Sequence, residues 1–158
     1  MTVEIAFDAT GYGGHRLVVF EQLAAEDGTT LATHEDIDDE GQSVTVCEIG
    51  TTLTDASDGD HVIEIGKVTL VDTVEYKGLI PGDSYTVNGT LMVKSTGEAM
   101  TDEGSKPVTA SAEFTAEDAG GTVQVTFEFD ASALNESDEL VAFEDCLTAE
   151  GNIAAVHH

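Results

Sequence analysis

Apolar and polar residues alternate along most of the chain with a period of two, the pattern of strands that bury one face and wet the other. Such runs predict strands over Val68 to Glu75, Tyr85 to Val93, Val108 to Thr115, Thr122 to Phe129, Leu140 to Glu144 and Ile153 to His157. Between them lie turn chemistries: Ile80-Pro81-Gly82-Asp83, Ser95-Thr96-Gly97-Glu98 and Ala119-Gly120-Gly121. Proline and glycine there supply backbone angles that a strand cannot use. No long stretch carries a helical period. Short strands at this spacing predict an all-β, Ig-like (Greek-key) β-sandwich.

The pattern also recurs along the chain. Leu17-Val18-Val19-Phe20-Glu21, Gly28, Ala32 and His34 return as Leu140-Val141-Ala142-Phe143-Glu144, Gly151, Ala155 and His157, at a constant offset of 123 residues. Upstream, Val3 to Phe7-Asp8-Ala9 matches Val125 to Phe129-Asp130-Ala131 after a one-residue slip. The chain is therefore expected to be a tandem repeat cut in two places. Residues 1–46 are the C-terminal strands of a preceding repeat, and residues 47–158 are a second repeat that stops before its last strand. The first copy continues past His34 as Glu35 to Val46, and no counterpart follows His157. The register with His34 favours a native His157 over a tag remnant.

Composition narrows the function. The 158 residues are 41% hydrophobic, enough for a folded core. Thirty-two acidic residues against five Lys+Arg give a net charge of -27, which repels nucleic-acid phosphates and anionic membranes, so neither is an expected partner. No apolar run is long enough to span a bilayer, and the start lacks a basic region followed by an apolar stretch. Cys47 and Cys146 cannot build a disulfide framework and have no metal-ligand spacing around them. Both read as small apolar fillers, with a single disulfide between them as the alternative, and no cofactor is expected.

Strand parity singles out polar residues that belong to apolar faces. Asp72 shares parity with Val68, Leu70 and Val74; Thr51 with Ile49 and Leu53; Gln42 with Val44 and Val46; and His157 with Ile153 and Ala155. Glu144 has apolar neighbours on both parities, Leu140 and Ala142 on one and Val141 and Phe143 on the other. All five are expected to be at least partly buried. An isolated buried polar group costs several kcal/mol, on the order of 2–7, so they are expected to meet one another. A threonine hydroxyl becomes a nucleophile when a base takes its proton, and a histidine held by a carboxylate is the usual device. Two carboxyls in one apolar site cannot both ionise, so one remains a hydrogen-bond donor that can polarise a carboxamide. Loss of ammonia would leave an ester joining Thr to Gln.

Several strings then resemble a known family: Val18-Val19-Phe20-Glu21 and Val141-Ala142-Phe143-Glu144, His34-Glu35-Asp36-Ile37-Asp38-Asp39-Glu40-Gly41-Gln42, Ile49-Gly50-Thr51-Thr52-Leu53-Thr54-Asp55, Val71 to Leu79, and Tyr85 to Met92. They are similar to the VaFE repeats of cell-wall-anchored adhesins from Gram-positive bacteria, domains with an intramolecular Thr-Gln ester cross-link. The resemblance covers nearly the whole chain. It implies that Thr51 is the ester-forming threonine and that Asp72, Glu144 and His157 promote the bond. In the first copy Glu21 and His34 would be the equivalent helpers, and Gln42 the acyl partner of a threonine upstream. It further implies an extracellular stalk whose partners are neighbouring repeats, with the secretion signal and anchor outside this chain. The Gln that belongs with Thr51 would lie beyond residue 158.

Other readings fit less well. Asp36 to Gly41 imitates the start of an EF-hand loop, but the twelfth position is Cys47 and Glu48 arrives one residue late. Asp55 to Asp60 reads as a hairpin turn. An isopeptide-linked sandwich needs a core lysine, whereas Lys67, Lys77, Lys94 and Lys106 sit near turns or strand ends. A hydrolase using Thr51, His157 and Asp72 lacks a glycine-rich nucleophile turn.

Overall fold

A computed structural model describes residues 2–135 and 137–158. Residues before 47 form four short strands: β1 (Arg16–Val18), β2 (Glu21–Ala24), β3 (Thr30–His34) and β4 (Ser43–Thr45). The β2–β3 pair is a hairpin, and β4 lies antiparallel to β1. Eight more follow: β5 (Glu48–Asp55), β6 (Lys67–Lys77), β7 (Ser84–Val93), β8 (Glu98–Ala99), β9 (Thr109–Thr115), β10 (Gly120–Asp130), β11 (Leu140–Thr148) and β12 (Ile153–His157).

These eight make a sandwich. One sheet has the order β10-β6-β5; the other runs β12-β11-β7, with β8 and β9 paired along the far edge of β7. The chain crosses between sheets after β6, after β9 and after β10, which is why neighbouring strands within a sheet are not consecutive in sequence. Alternation produces the core directly. Val68, Leu70, Val74 and Tyr76 of β6, and Val125, Phe127 and Phe129 of β10, are buried and face Tyr85, Val87 and Leu91 of β7 and Ala142 and Cys146 of β11. Burial of such side chains contributes about 1.5–3 kcal/mol each for the larger aliphatic and aromatic ones. Tyr85 also closes the β6–β7 turn, its hydroxyl accepting the Ile80 N–H at 3.0 Å.

The six strands expected from alternation all form, most of them longer than their apolar runs. β11 continues from Glu144 to Thr148, and β6 extends by one residue at its start and two at its end. Asp55 to Asp60 is the expected turn: the Asp55 N–H donates to the Asp60 carbonyl at 2.8 Å and the Asp55 carboxylate caps Ser57 at 2.6 Å.

One match does not become a strand. Residues 3–8 repeat the sequence of β10, yet no β-ladder forms there. β10 is a strand because β6 pairs with it over its full length, and residues 1–46 contain no β6 counterpart. The turn after it is kept all the same. The Asp8 carboxylate accepts the Thr10 N–H at 2.9 Å, as Asp130 accepts that of Ser132 at 2.9 Å.

Candidate functional site

Asp72 occupies the middle of β6, between Leu53 of β5 and Val125 of β10. Glu144 occupies β11, between His157 of β12 and Gly89 of β7. Each strand's alternation turns its carboxyl inward, so the two acids approach from opposite sheets, and both are fully buried. Their four oxygens have no hydrogen-bond partner among the described residues. Thr51, two residues before Leu53, is partly buried on the same inward face.

Electrostatics follow from that placement. Burial pushes Glu144 up to about 9, with the Asp72 side chain adding to the effect, so Glu144 holds a proton at neutral pH. Burial raises Asp72 too. It is opposed, in order, by the Glu144 side chain, the Thr51 hydroxyl, the His157 charge and the Thr52 backbone N–H. These groups stand close without reaching hydrogen-bond geometry on the Asp72 oxygens. The pair thus holds at least one proton, on Glu144, with a threonine hydroxyl beside it.

Gly89 makes room for the acid. A Cβ on it would lie 2.7 and 2.8 Å from the Glu144 oxygens and 2.5 Å from Cζ of Phe127. In the sequence Gly89 is marked only as a lone glycine inside an apolar strand, a sign of close approach.

His157 departs from expectation. It stands opposite Glu144 and borders an open cleft with Ile49, Gly50 and Glu75, but its side chain is exposed, as is Ile153 at 68%. β12 is an edge strand, so an inward position on it still meets solvent. A bulge also breaks the alternation of β12: the register shifts between Cys146 and Leu147, which sets Ile153 against Leu147 on the outer face while Ala155 opposes Cys146.

The first copy builds the same hairpin. Glu21 stands opposite His34 as Glu144 stands opposite His157, and both hairpins carry their bulge at the same place, Leu23/Ala24 and Cys146/Leu147. Their turns agree bond for bond: Ala25 N–H to Thr29 carbonyl and Gly28 N–H to Ala25 carbonyl, against Thr148 to Asn152 and Gly151 to Thr148. Gly28 and Gly151 have φ of 85° and 82°, the left-handed geometry that glycine permits. Glu21 and His34 are exposed, and His34 Nε2 lies 2.9 Å from Asp39 Oδ2.

Gln42 is partly buried but ends a 3-10 turn (Glu40–Gln42) instead of standing on a strand, because the Asp39 carboxylate caps Gly41 and bends the chain just before β4. Its carbonyl accepts the Val19 N–H at 2.9 Å. Val44, expected to share an inward face with it, is 53% exposed, since β4 has only β1 beside it. The structure therefore gathers Thr51, Asp72, Glu144 and His157 in one sandwich, pairs Glu21 with His34 in another hairpin, and sets Gln42 near Val19.

The cysteines are free thiols. Cys146 is buried and its thiol is pushed up to about 11 by burial; Cys47 is half-buried and raised by the same cause. The lysines stay out of the core, and Lys94 pairs with Glu139 at 2.7 Å on the surface.

Comparison with solved structures matches the fold to an adhesin from Mobiluncus mulieris, described as containing intramolecular disulfide, isopeptide and ester bond cross-links. In two crystal forms the TM-scores are 0.57 and 0.52, each at 16% identity and covering 72% of this chain. This chain spans about half, 53%, of that one. No curated protein sequence matches. A family model for the T-Q ester bond containing domain matches residues 1–46 and 47–158, and the chain belongs to that family.

Proposed function

We propose that the chain is a stalk segment of a bacterial surface adhesin, exported and held at the cell wall by other parts of a longer protein, and built from VaFE-type tandem repeats. In this reading residues 1–46 close one repeat and residues 47–158 open the next. The cross-link of the second joins Thr51 to a Gln on the strand following His158, at the position Gln42 holds in the first. What most supports the reading is the buried pair of Asp72 and protonated Glu144 beside the Thr51 hydroxyl.

The chemistry needs no cofactor. His157 takes the Thr51 proton, and Thr51 Oγ attacks the Gln Cδ. Glu144 donates a hydrogen bond to the carboxamide oxygen and supports the charge that develops there. The C–N bond then breaks and the nitrogen leaves as ammonia with the proton from His157. One C–O bond forms, one C–N bond is lost, and Thr51 is consumed, so the chain is not an enzyme.

Such an ester would tie β5, the first strand of the repeat, to its last and carry load past the hydrogen-bonded sheets. In a pulling experiment on a chain extended through the Gln-bearing strand, the repeat should stay folded at forces that unravel its Thr51→Ala form. Equal extension at equal force would overturn the mechanical role.

A further inference from the structure

The two family segments, residues 1–46 and 47–158, meet between β4 and β5, where only Val46 and Cys47 join one to the other. Domains in one chain move against each other by default unless something holds the link. Here both linker residues are held. The β1–β4 ladder continues past Arg16 and Thr45: the Val46 N–H donates to the His15 carbonyl at 3.0 Å, and the Gly14 N–H donates to the Val46 carbonyl at 2.8 Å. On the other side, one position beyond the last β5–β6 partners Glu48 and Lys77, the Cys47 thiol donates to the Gly78 carbonyl at 3.2 Å. A hinge at this point would have to break bonds on one side or the other.

The loop before β1 closes over the same place. It is a turn in which the His15 N–H donates to the Tyr12 carbonyl at 2.9 Å, and its two central glycines lie against the second segment. A Cβ on Gly13 would stand 2.7 Å from the Glu48 Cβ and closer still to its carboxyl. Gly14, at φ 76°, rests on the Lys77 stem, where a Cβ would stand 3.2 Å from that of Lys77. From the second segment, Gly78 lies under the linker at φ 77°, and its Cβ would come 2.5 Å from the Val46 carbonyl oxygen.

The repeat does not itself require this loop. Gly14 stands three residues before Leu17, and the residue three before Leu140 is Ser137. Ser137 does not take the left-handed backbone of Gly14; among the described residues Ser105 is the one non-glycine that does. The glycines of residues 12–15 therefore answer to what they touch, which is the end of the next sandwich.

We infer that the loop of residues 12–15 is a docking element for the surface formed by Glu48, Lys77 and Gly78 at the start of the following repeat, and that it fixes the angle between the two. The inference builds on the reading of residues 1–46 and 47–158 as consecutive repeats and is independent of the ester. Its consequence is mechanical: a stalk joined in this way is a stiff rod, and load passes from β4 to β5 without first straightening a slack linker.

The test is made on the 158-residue chain by nuclear magnetic resonance. Amide residual dipolar couplings from residues 14–46 and 47–158 should fit one alignment tensor, and the Gly14 and Val46 amides should exchange at least about tenfold more slowly than unbonded loop amides, as two net backbone hydrogen bonds require. Gly13→Val should separate the couplings into two tensors while the β2–β3 hairpin and the urea midpoint of the second sandwich stay as they were. If that variant unfolds the first segment, Glu48→Phe crowds the same contact from the other side and should separate the tensors likewise. Two tensors in the unaltered chain, with both segments folded, would overturn the fixed joint and leave the two-repeat reading standing. One tensor kept in folded Gly13→Val or Glu48→Phe would overturn the loop as the element that fixes it. Random-coil shifts throughout residues 14–46 of the unaltered chain would overturn the joint and the repeat reading together.

Discussion

Asp72 and Glu144 face each other from opposite sheets of the sandwich, fully buried and without a hydrogen-bond partner for any of their oxygens among the described residues. A stable core would not normally keep two acids in this state. The cost is reduced because Glu144 binds a proton that it would release in the unfolded chain.

That proton makes stability depend on pH. The folded pKa of Glu144 is raised, so from the ordinary glutamate range up to about 9 the folded chain holds a proton that the unfolded chain has lost. Stability is therefore greatest below that window, falls as pH rises through it, and levels off above. Asp72 is raised as well and adds in the same direction. Urea midpoints across pH 5 to 10 should fall for the wild-type chain, and Glu144→Gln should flatten most of the decline.

Gly89→Ala should be far more damaging than an ordinary strand substitution. Its Cβ would press on the Phe127 ring and the Glu144 carboxyl, and overpacking of this kind costs about 1–3 kcal/mol. A clear drop in the urea midpoint is expected, whereas Gly50→Ala, whose Cβ meets nothing within 4 Å, should change it little.

Much of this was legible in the sequence because burial of one face writes itself as alternation. Asp72 and Glu144 were identifiable as misplaced acids within apolar runs, and both are inside. The hairpins carrying Glu21/His34 and Glu144/His157 were legible as a repeat. Three things were not. The bulge at Cys146/Leu147 breaks parity within β12 and exposes Ile153, and a bulge leaves no mark on a pattern of period two. His157 is exposed because β12 is at an edge, a property of pairing and not of local sequence. Gly89 acts by lacking a side chain, and its effect shows only against Phe127 and Glu144 across the core.

His157 should separate chemistry from stability. Its side chain is exposed, so His157→Ala should shift the unfolding midpoint by no more than about 0.5 kcal/mol. In a chain extended through the Gln-bearing strand the same variant should fail to release ammonia. Normal cross-linking in folded His157→Ala would assign the base elsewhere, with Asp72 next in line by its proximity to the Thr51 hydroxyl.

The central claim, that Thr51 forms an ester to a Gln at the position equivalent to Gln42, is tested most directly by the intact mass of the extended, folded chain. The mass should be one ammonia below that of the sequence, with fragmentation placing the link between Thr51 and that Gln, and Thr51→Ala should show its full mass. A folded extended chain at full sequence mass, with both residues recovered in unlinked peptides, would contradict it.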